Sequence, residues 1–151
     1  MKKPNDFYQV SLKAIIKNER GEILLLKALN NGSFADFYDL PGGRICTDEF
    51  TVPMIDILKR EVVEEVGNIN FRIVSDQPVA VGRHLYPTPM NKEAVDIHIL
   101  MLFFEAQYLS GDVVISREHS GFKWVDFSKE DPATLLKSGI LEGVNMYLPN
   151  H

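Results

Sequence analysis

Apolar positions along the chain fall into short blocks separated by polar, glycine- or proline-bearing breaks, and the spacing within the blocks changes. From Phe7 to Ile16 the chain is apolar-rich, "KNERGE" follows, and Ile23 to Leu26 is apolar again. This pattern predicts two strands joined by a tight polar turn around Asn18 to Gly21. "KALNNGSFADFY" reads as loop, and "DLPGGR" sets Pro41, Gly42 and Gly43 side by side, a combination that forces irregular backbone and permits close approach to a ligand. The period then lengthens. Ile55, Leu58, Val62 and Val66 recur at helical spacing, with Thr51 as the expected N-cap, Pro53 tolerated in the first turn and Gly67 as the C-cap glycine.

Beyond Gly67, Phe71 to Val74 and Val79 to Val81 predict short strands, and "RHLYPTPMNKE" a proline-rich loop. "AVDIHILMLFFEA" is the longest apolar segment and predicts a central strand covered on both faces. "YLSGD" reads as a turn, "FKWVDF" as another strand, and Asp131 to Lys137 and Ile140 to Tyr147 as helical pieces. No repeat, low-complexity tract or linker interrupts this order, so one mixed α/β domain spanning residues 1–151 is the economical reading.

Composition narrows the function classes. A chain of 151 residues buries about two-thirds of the surface its unfolded form exposes. With 45% hydrophobic and 25% charged residues it is neither a disordered nor a fibrous sequence. A formal net charge of −5 lacks the basic footprint that generic nucleic-acid binding requires. A phosphate-bearing small molecule stays open, because a divalent cation held by carboxylates reverses the local field. The single cysteine, Cys46, has no partner for an internal disulfide, "MKKPNDFYQV" lacks a signal-peptide core, and no apolar run approaches the ~18 residues of a membrane span. The expectation is a cytoplasmic protein.

The candidate chemistry lies in "REVVEEVG", Arg60 to Gly67, where Glu61, Glu64 and Glu65 crowd the end of the predicted helix. Acids one turn apart repel by roughly 0.2–0.5 kcal/mol per pair, and the helix dipole disfavours them at a C-terminus by about 0.3–1 kcal/mol. On a helical wheel the three share one exposed patch, with Glu61 and Glu65 one turn apart. A hard divalent cation removes the repulsion, since Mg²⁺ needs only a few protein oxygens beside water and substrate phosphate. The "PGG" turn precedes the helix at a distance that lets it fold back beside the glutamates. A cation there would polarise a phosphoryl oxygen, activate water and neutralise charge on a leaving phosphate, which predicts phosphate-anhydride hydrolysis. A solvated acidic helix face is the plainer reading of any such cluster. The arginine, the terminal glycine and the "PGG" turn together favour the metal site.

These residues resemble the box of the Nudix hydrolases: glycine, five residues, glutamate, seven residues, then Arg-Glu, an apolar residue, any residue, Glu-Glu, any residue and glycine. Gly43, Glu49, Arg60, Glu61, Val62, Glu64, Glu65 and Gly67 fall into that pattern. One spacing departs: ten residues separate Glu49 from Arg60 where the family has seven, a three-residue insertion around "FTV". It leaves Glu49 and Asp48 as alternatives for the upstream acid. Asn68 stands where the family has a final apolar residue, with Ile69 following. "FYDLPGG" and "EHSGFKWVDF" are similar to flanking segments of the family, so the likeness covers most of the chain. It implies a Nudix fold, a mixed β-sheet between α-helices, and Mg²⁺-dependent (or Mn²⁺-dependent) hydrolysis of a nucleoside diphosphate linked to another moiety. A nucleoside triphosphate, MutT-like, is favoured over ADP-ribose or a nucleotide sugar.

The resemblance also implies roles. Glu61 and Glu65 are the expected metal ligands, Glu64 completes the acidic set, and Glu61 is the expected base or metal-bridging group. Gly43, through its carbonyl, and Glu118 are further candidates for the metal, Glu118 also as an alternative base, against a plain turn glycine and a solvated acid. Arg60 is grouped with Glu61 and Glu64 at the catalytic centre, and is expected to pair with Glu49 and brace loop against helix, with Gly67 in support. Arg83, His84 and Tyr86 are candidates for phosphate or base, against ordinary loop residues. Phe37, with Phe34 and Tyr38, is a candidate for the nucleobase pocket, against core packing. His98 reads as a hydrogen-bonded sheet histidine and Trp124 as packing; Cys46 is assigned no chemistry. The expected partner is a small nucleotide or nucleoside diphosphate derivative, without membrane or generic nucleic-acid binding, and a homodimer stays open. Two other classes remain: a non-catalytic Nudix-like sensor, against which the intact acids speak, and isomerase chemistry on the same fold, for which Cys46 alone is weak support.

Overall fold

The opening apolar block forms strand β1 (Gln9–Lys17), and the turn at Asn18 returns the chain into β2 (Ile23–Ala28) in the computed structural model, which describes residues 2–88 and 95–151. Asn18 makes that turn by accepting the Glu22 backbone N–H on its side chain at 2.9 Å and the Gly21 N–H on its carbonyl at 3.0 Å. The two strands pair at Lys17 and Ile23, beside the turn, and then part. Along the rest of β1 the edge is taken by β4 (Gly42–Arg44), with Leu12 opposite Gly43, while β2 pairs with β3 (Tyr38–Asp39). The parting matters because the "DLPGGR" segment is threaded into it.

Helix α1 (Met54–Val66) follows, then β5 (Asn70–Ile73), β6 (Ala80–Tyr86), β7 (Ile97–Ser110), β8 (His119–Val125) and helix α2 (Ser138–Tyr147). The long apolar segment is central, as its composition predicts. One edge of β7 runs parallel to β1 from Ile99 to Gln107, and its other edge takes β6 along the first half and β5 along the second, both antiparallel. β8 closes the far side against β2.

Continuous apolar runs are explained by burial on two faces. Alternate residues Leu12, Ala14, Ile16, Leu24, Leu26 and Phe104 pack with Ile57, Leu58, Val62 and Val66 of α1. Their chain neighbours Ile15, Ile23, Leu25 and Phe103 pack on the opposite face with Ile140, Val144 and Tyr147 of α2. The sheet is therefore sandwiched between the two helices. No helix among the described residues is long and apolar enough to cross a membrane.

Several local expectations are corrected. Thr51 is not the N-cap, because the chain through the insertion stays in turns, with the Val52 N–H bonded to the Glu49 carbonyl at 3.0 Å; Pro53 caps instead and its carbonyl accepts from Asp56 and Ile57. Ile57, not Ile55, fills the first buried place of the stripe. The expected loop from Arg83 begins later, since the strand at Val81 continues to Tyr86 by pairing with β7 throughout; residues 89–93, and Ala94, lie outside the described residues. Tyr108 to Ser110 extend β7 by pairing with β5, leaving Gly111 to turn. The Asp131 to Lys137 piece is a single 3₁₀ turn, Pro132–Thr134.

Leu58 is fully buried where α1 meets the sheet. Leu58→Ala is expected to lower unfolding free energy by about 2–5 kcal/mol, read from urea melts.

Candidate active site

The last turns of α1 carry the three glutamates, and their carboxylates meet different surroundings. Glu65 is 5% exposed, so the expectation of a single exposed patch is corrected. Its Oε1 accepts the Gly42 N–H at 2.6 Å, and its Oε2 lies 3.5 Å from Nδ1 of His119. Glu61 is half-buried and lies against the backbone of Gly43. Glu64 is turned outward to Arg60, which it meets at 3.0 Å. The three do not converge: among the described residues, Cys46, Asp48 and Glu49 are the one group of three possible cation-binding side chains whose ligand atoms all lie within 4.8 Å. That group is already engaged, since Glu49 accepts both the Cys46 N–H at 2.8 Å and Arg60 Nη2 at 2.7 Å.

Two glycines make the arrangement possible. At Gly42 (φ +147) a Cβ would collide with the Leu12 carbonyl oxygen, and at Gly43 it would stand 2.5 Å from Glu61 Oε2. Any side chain at either position would push the turn away from β1 or displace the glutamate. The acidic helix end is also served by backbone donors. Gly67 N–H bonds to Val63, Val114 N–H to Val66 at 2.9 Å and Ser116 N–H to Glu65 at 3.1 Å, so the loop after β7 satisfies carbonyls that a helix terminus leaves open. The same loop delivers Glu118 and His119 to the carboxylates.

Arg60 sits at the outer side of the cluster, reaching Glu49, Glu64 and, at 3.3 Å, Glu61. The pair with Glu49 spans the insertion, and it is Glu49 rather than Asp48 that makes it. The insertion itself bulges into solvent, with Phe50 93% exposed. Inside the cluster, compensation is thinner. Burial pushes the Glu65 carboxyl up to about 8; Lys13 and the Gly42 N–H oppose the shift, while Asp39 and Glu118 add to it. Burial likewise raises Glu61, against the pull of Arg60 and with Glu64 and Glu118 adding to the rise. Lys13 is itself engaged by Asp39 at 3.0 Å. Carboxylate oxygens whose burial is only partly offset by Arg60 and Lys13, with no thiolate among them, are the donor set that suits a hard divalent ion.

A cleft of about 360 Å³ opens over Glu65, walled by Ser33, Phe34, Asp39, Gly42, Arg44, Tyr86, Glu118 and His119. A smaller adjoining hollow of about 170 Å³ shares Ser33, Phe34, Asp39, Arg44 and Tyr86 and adds Lys13, Gly43 and His84. Of the expected substrate-binding residues, Tyr86 lines both spaces, with the Arg44 guanidinium 5.7 Å from its ring centre. His84 is inside but occupied: its ring nitrogens meet Ser33 Oγ at 3.0 Å and Ser138 Oγ at 2.7 Å, and it stacks on Phe34. Burial holds its pKa below the usual value. Arg83 lies outside these walls, because strand alternation places it on the exposed side of β6, where its backbone N–H donates to Glu142. Phe37 is also outside, packed beneath Lys137. Tyr38 packs on the α2-side core, Trp124 on Tyr108, and His98 is exposed and bonded to Asp6 at 2.7 Å.

Sequence reading missed Lys13, Asp39 and His119. Lys13 left a signal, a lone charge inside "VSLKAII" on the same face as Ile15, which demands an interior partner. His119 stands one residue beyond Glu118, the acid that was singled out.

The NUDIX domain family model matches residues 7–141. Among solved structures, the MutT protein from Methanosarcina mazei Go1 is 31% identical, covering 81% of this chain and 79% of that chain, with a TM-score of 0.62. A MutT NUDIX hydrolase from Burkholderia pseudomallei is 23% identical over 79% and 83% of the two chains, TM-score 0.59. The dihydroneopterin triphosphate pyrophosphohydrolase of E. coli is 16% identical over 97% and 100%, TM-score 0.64. The latter two are likenesses of fold.

In cation-free protein the folded state keeps the Glu65 proton at pH values where the unfolded chain has lost it, so this group makes stability fall as pH rises from about 4.5 to about 8. Urea melts in EDTA are expected to show that decline, and Glu65→Gln to flatten it.

Proposed function

Because this chain belongs to the NUDIX family and is a hydrolase of phosphorus-containing acid anhydrides, we propose that it cleaves the pyrophosphate bond of a nucleoside diphosphate linked to another moiety, a nucleoside triphosphate in the MutT manner, with Mg²⁺ as cofactor and Mn²⁺ as its substitute. The observation that carries this reading is the pair Glu61 and Glu65, one turn apart, each lying against the backbone of a glycine, with Glu65 lining a cleft. The 31% identity to a MutT protein favours the triphosphate over ADP-ribose and nucleotide sugars.

Glu61 and Glu65 would hold the cation, with the Gly43 carbonyl and Glu118 as further oxygen donors. Bound there, it would polarise a phosphoryl oxygen and neutralise charge on the leaving phosphate. Glu61 would serve as base or bridging carboxylate. Glu64 would complete the acidic set only by turning from Arg60, whose own role is to hold Glu49, Glu61 and Glu64 in register. Tyr86, Phe34 and Arg44 would receive the nucleotide, with His84 bracing the loop that carries Ser33 and Phe34. One domain over 1–151 in a reducing cytoplasm, where the exposed Cys46 thiol persists, completes the proposal.

A panel of nucleoside triphosphates, ADP-ribose and UDP-sugars with Mg²⁺, followed by ³¹P NMR, is expected to yield a nucleoside monophosphate and pyrophosphate from a triphosphate. Return of every compound intact, with Mn²⁺ as well, would sink the reading. Glu65→Gln is expected to lower kcat by about 10²–10³, the scale of losing one transition-state electrostatic contact, with thermal stability unchanged or raised.

A further inference from the structure

We propose that His119 is a positioning residue: its Nδ1–H anchors Oε2 of Glu65 and fixes the plane in which that carboxylate meets the divalent cation, an inference that rests on the reading of Glu65 as a cation ligand.

The starting point is an unpaired atom. Among the described residues, His119 Nδ1 is the only buried side-chain nitrogen or oxygen without a hydrogen-bond partner, on a side chain 7% exposed. Leaving a buried polar group unpaired is destabilising, so such an atom calls for a partner in some working state of the protein. The nearest carboxylate oxygen in ion-pair range is Glu65 Oε2 at 3.5 Å, and it is the oxygen that Gly42 does not hold.

The contact is about 0.6 Å longer than an N–H···O bond of about 2.9 Å, so the two groups face each other without yet being bonded. A carboxylate stripped of its proton, as cation binding requires, is a stronger acceptor and shortens such contacts. With the Gly42 N–H on Oε1 and the His119 N–H on Oε2, each oxygen would keep one lone pair anchored and one directed outward. The side chain then has no rotation left to lose when the cation arrives. Glu65 and the His119 ring both face the cleft, but Nδ1 itself is buried. That atom is therefore placed to act through Glu65 and not on a water in the cleft. The backbone supports the geometry, since the Ser116 N–H bonds to the Glu65 carbonyl and the His119 N–H to the Ser116 carbonyl, tying the start of β8 to the same residue of α1.

The test is Mn²⁺ titration by calorimetry, with metal-free thermal melts run in parallel. His119→Ala is expected to weaken Mn²⁺ binding about 10–100-fold, the usual effect of removing a group that orients a metal ligand. His119→Asn, whose amide nitrogen stands close to the position of Nδ1, is expected to recover most of that affinity. His119→Gln, whose amide nitrogen falls near Nε2, is expected to remain weak, and it takes the place of the alanine variant should that one not fold. Wild-type affinity in His119→Ala or His119→Gln, or an asparagine variant as weak as the alanine, would overturn the proposal. Glu65→Gln separates the two levels. If it keeps Mn²⁺ affinity, the reading of Glu65 is wrong; if it loses affinity while His119→Ala does not, only the role of His119 falls.

Discussion

A backbone N–H held against a buried carboxylate, Gly42 to Glu65, is the contact on which the rest of the site depends. It requires a turn with no side chain, because at residue 42 any Cβ would strike β1. It requires β1 and β2 to separate after Lys17 and Ile23, so that the turn can lie beside β1 as β4. And it requires the last turn of α1 to rest on the sheet, which the burial of Val62 and Val66 on either side of Glu64 and Glu65 secures. Topology, packing and the acidic cluster are thus coupled at one hydrogen bond.

The cluster is divided by charge compensation. On the outside, Arg60 gathers Glu49, Glu61 and Glu64 in partly solvated pairs, each of modest energy. On the inside, Glu65 has one backbone donor, a nearby Lys13 already committed to Asp39, and two further acids that oppose its ionisation. Native carboxyl groups at such positions resolve the conflict by keeping a proton or by meeting a cation. The helix end that should repel acids is made tolerable by N–H groups from Val114 and Ser116, which take up its last carbonyls.

Much of this was legible beforehand because it rests on period and composition. The central place of β7 follows from an apolar run that alternates between two covered faces, and the buried stripe of α1 from its spacing. Glu49 and Arg60 were legible as a pair from their places in the box, an acid upstream of the helix and a guanidinium on it. What was not legible depends on contacts distant in sequence. Nothing local announces that Lys13 and Asp39 would meet, that strand pairing would carry Arg83 to the outer face, or that Glu65 would be the buried member of its trio. The N-cap was misplaced for a related reason: Thr51 has the right chemistry, but the turn begun at Glu49 holds it out of position.

The segment around Phe50 shows how the brace between Glu49 and Arg60 is built. Three added residues lengthen the path along the main chain, yet the guanidinium still reaches its partner at 2.7 Å, because the surplus is extruded into solvent as a blister at Phe50. What is preserved is a distance in space, not a count along the chain. A rigid spacing rule would reject a chain like this one, whereas the pairing of guanidinium and carboxylate across the blister survives the added length.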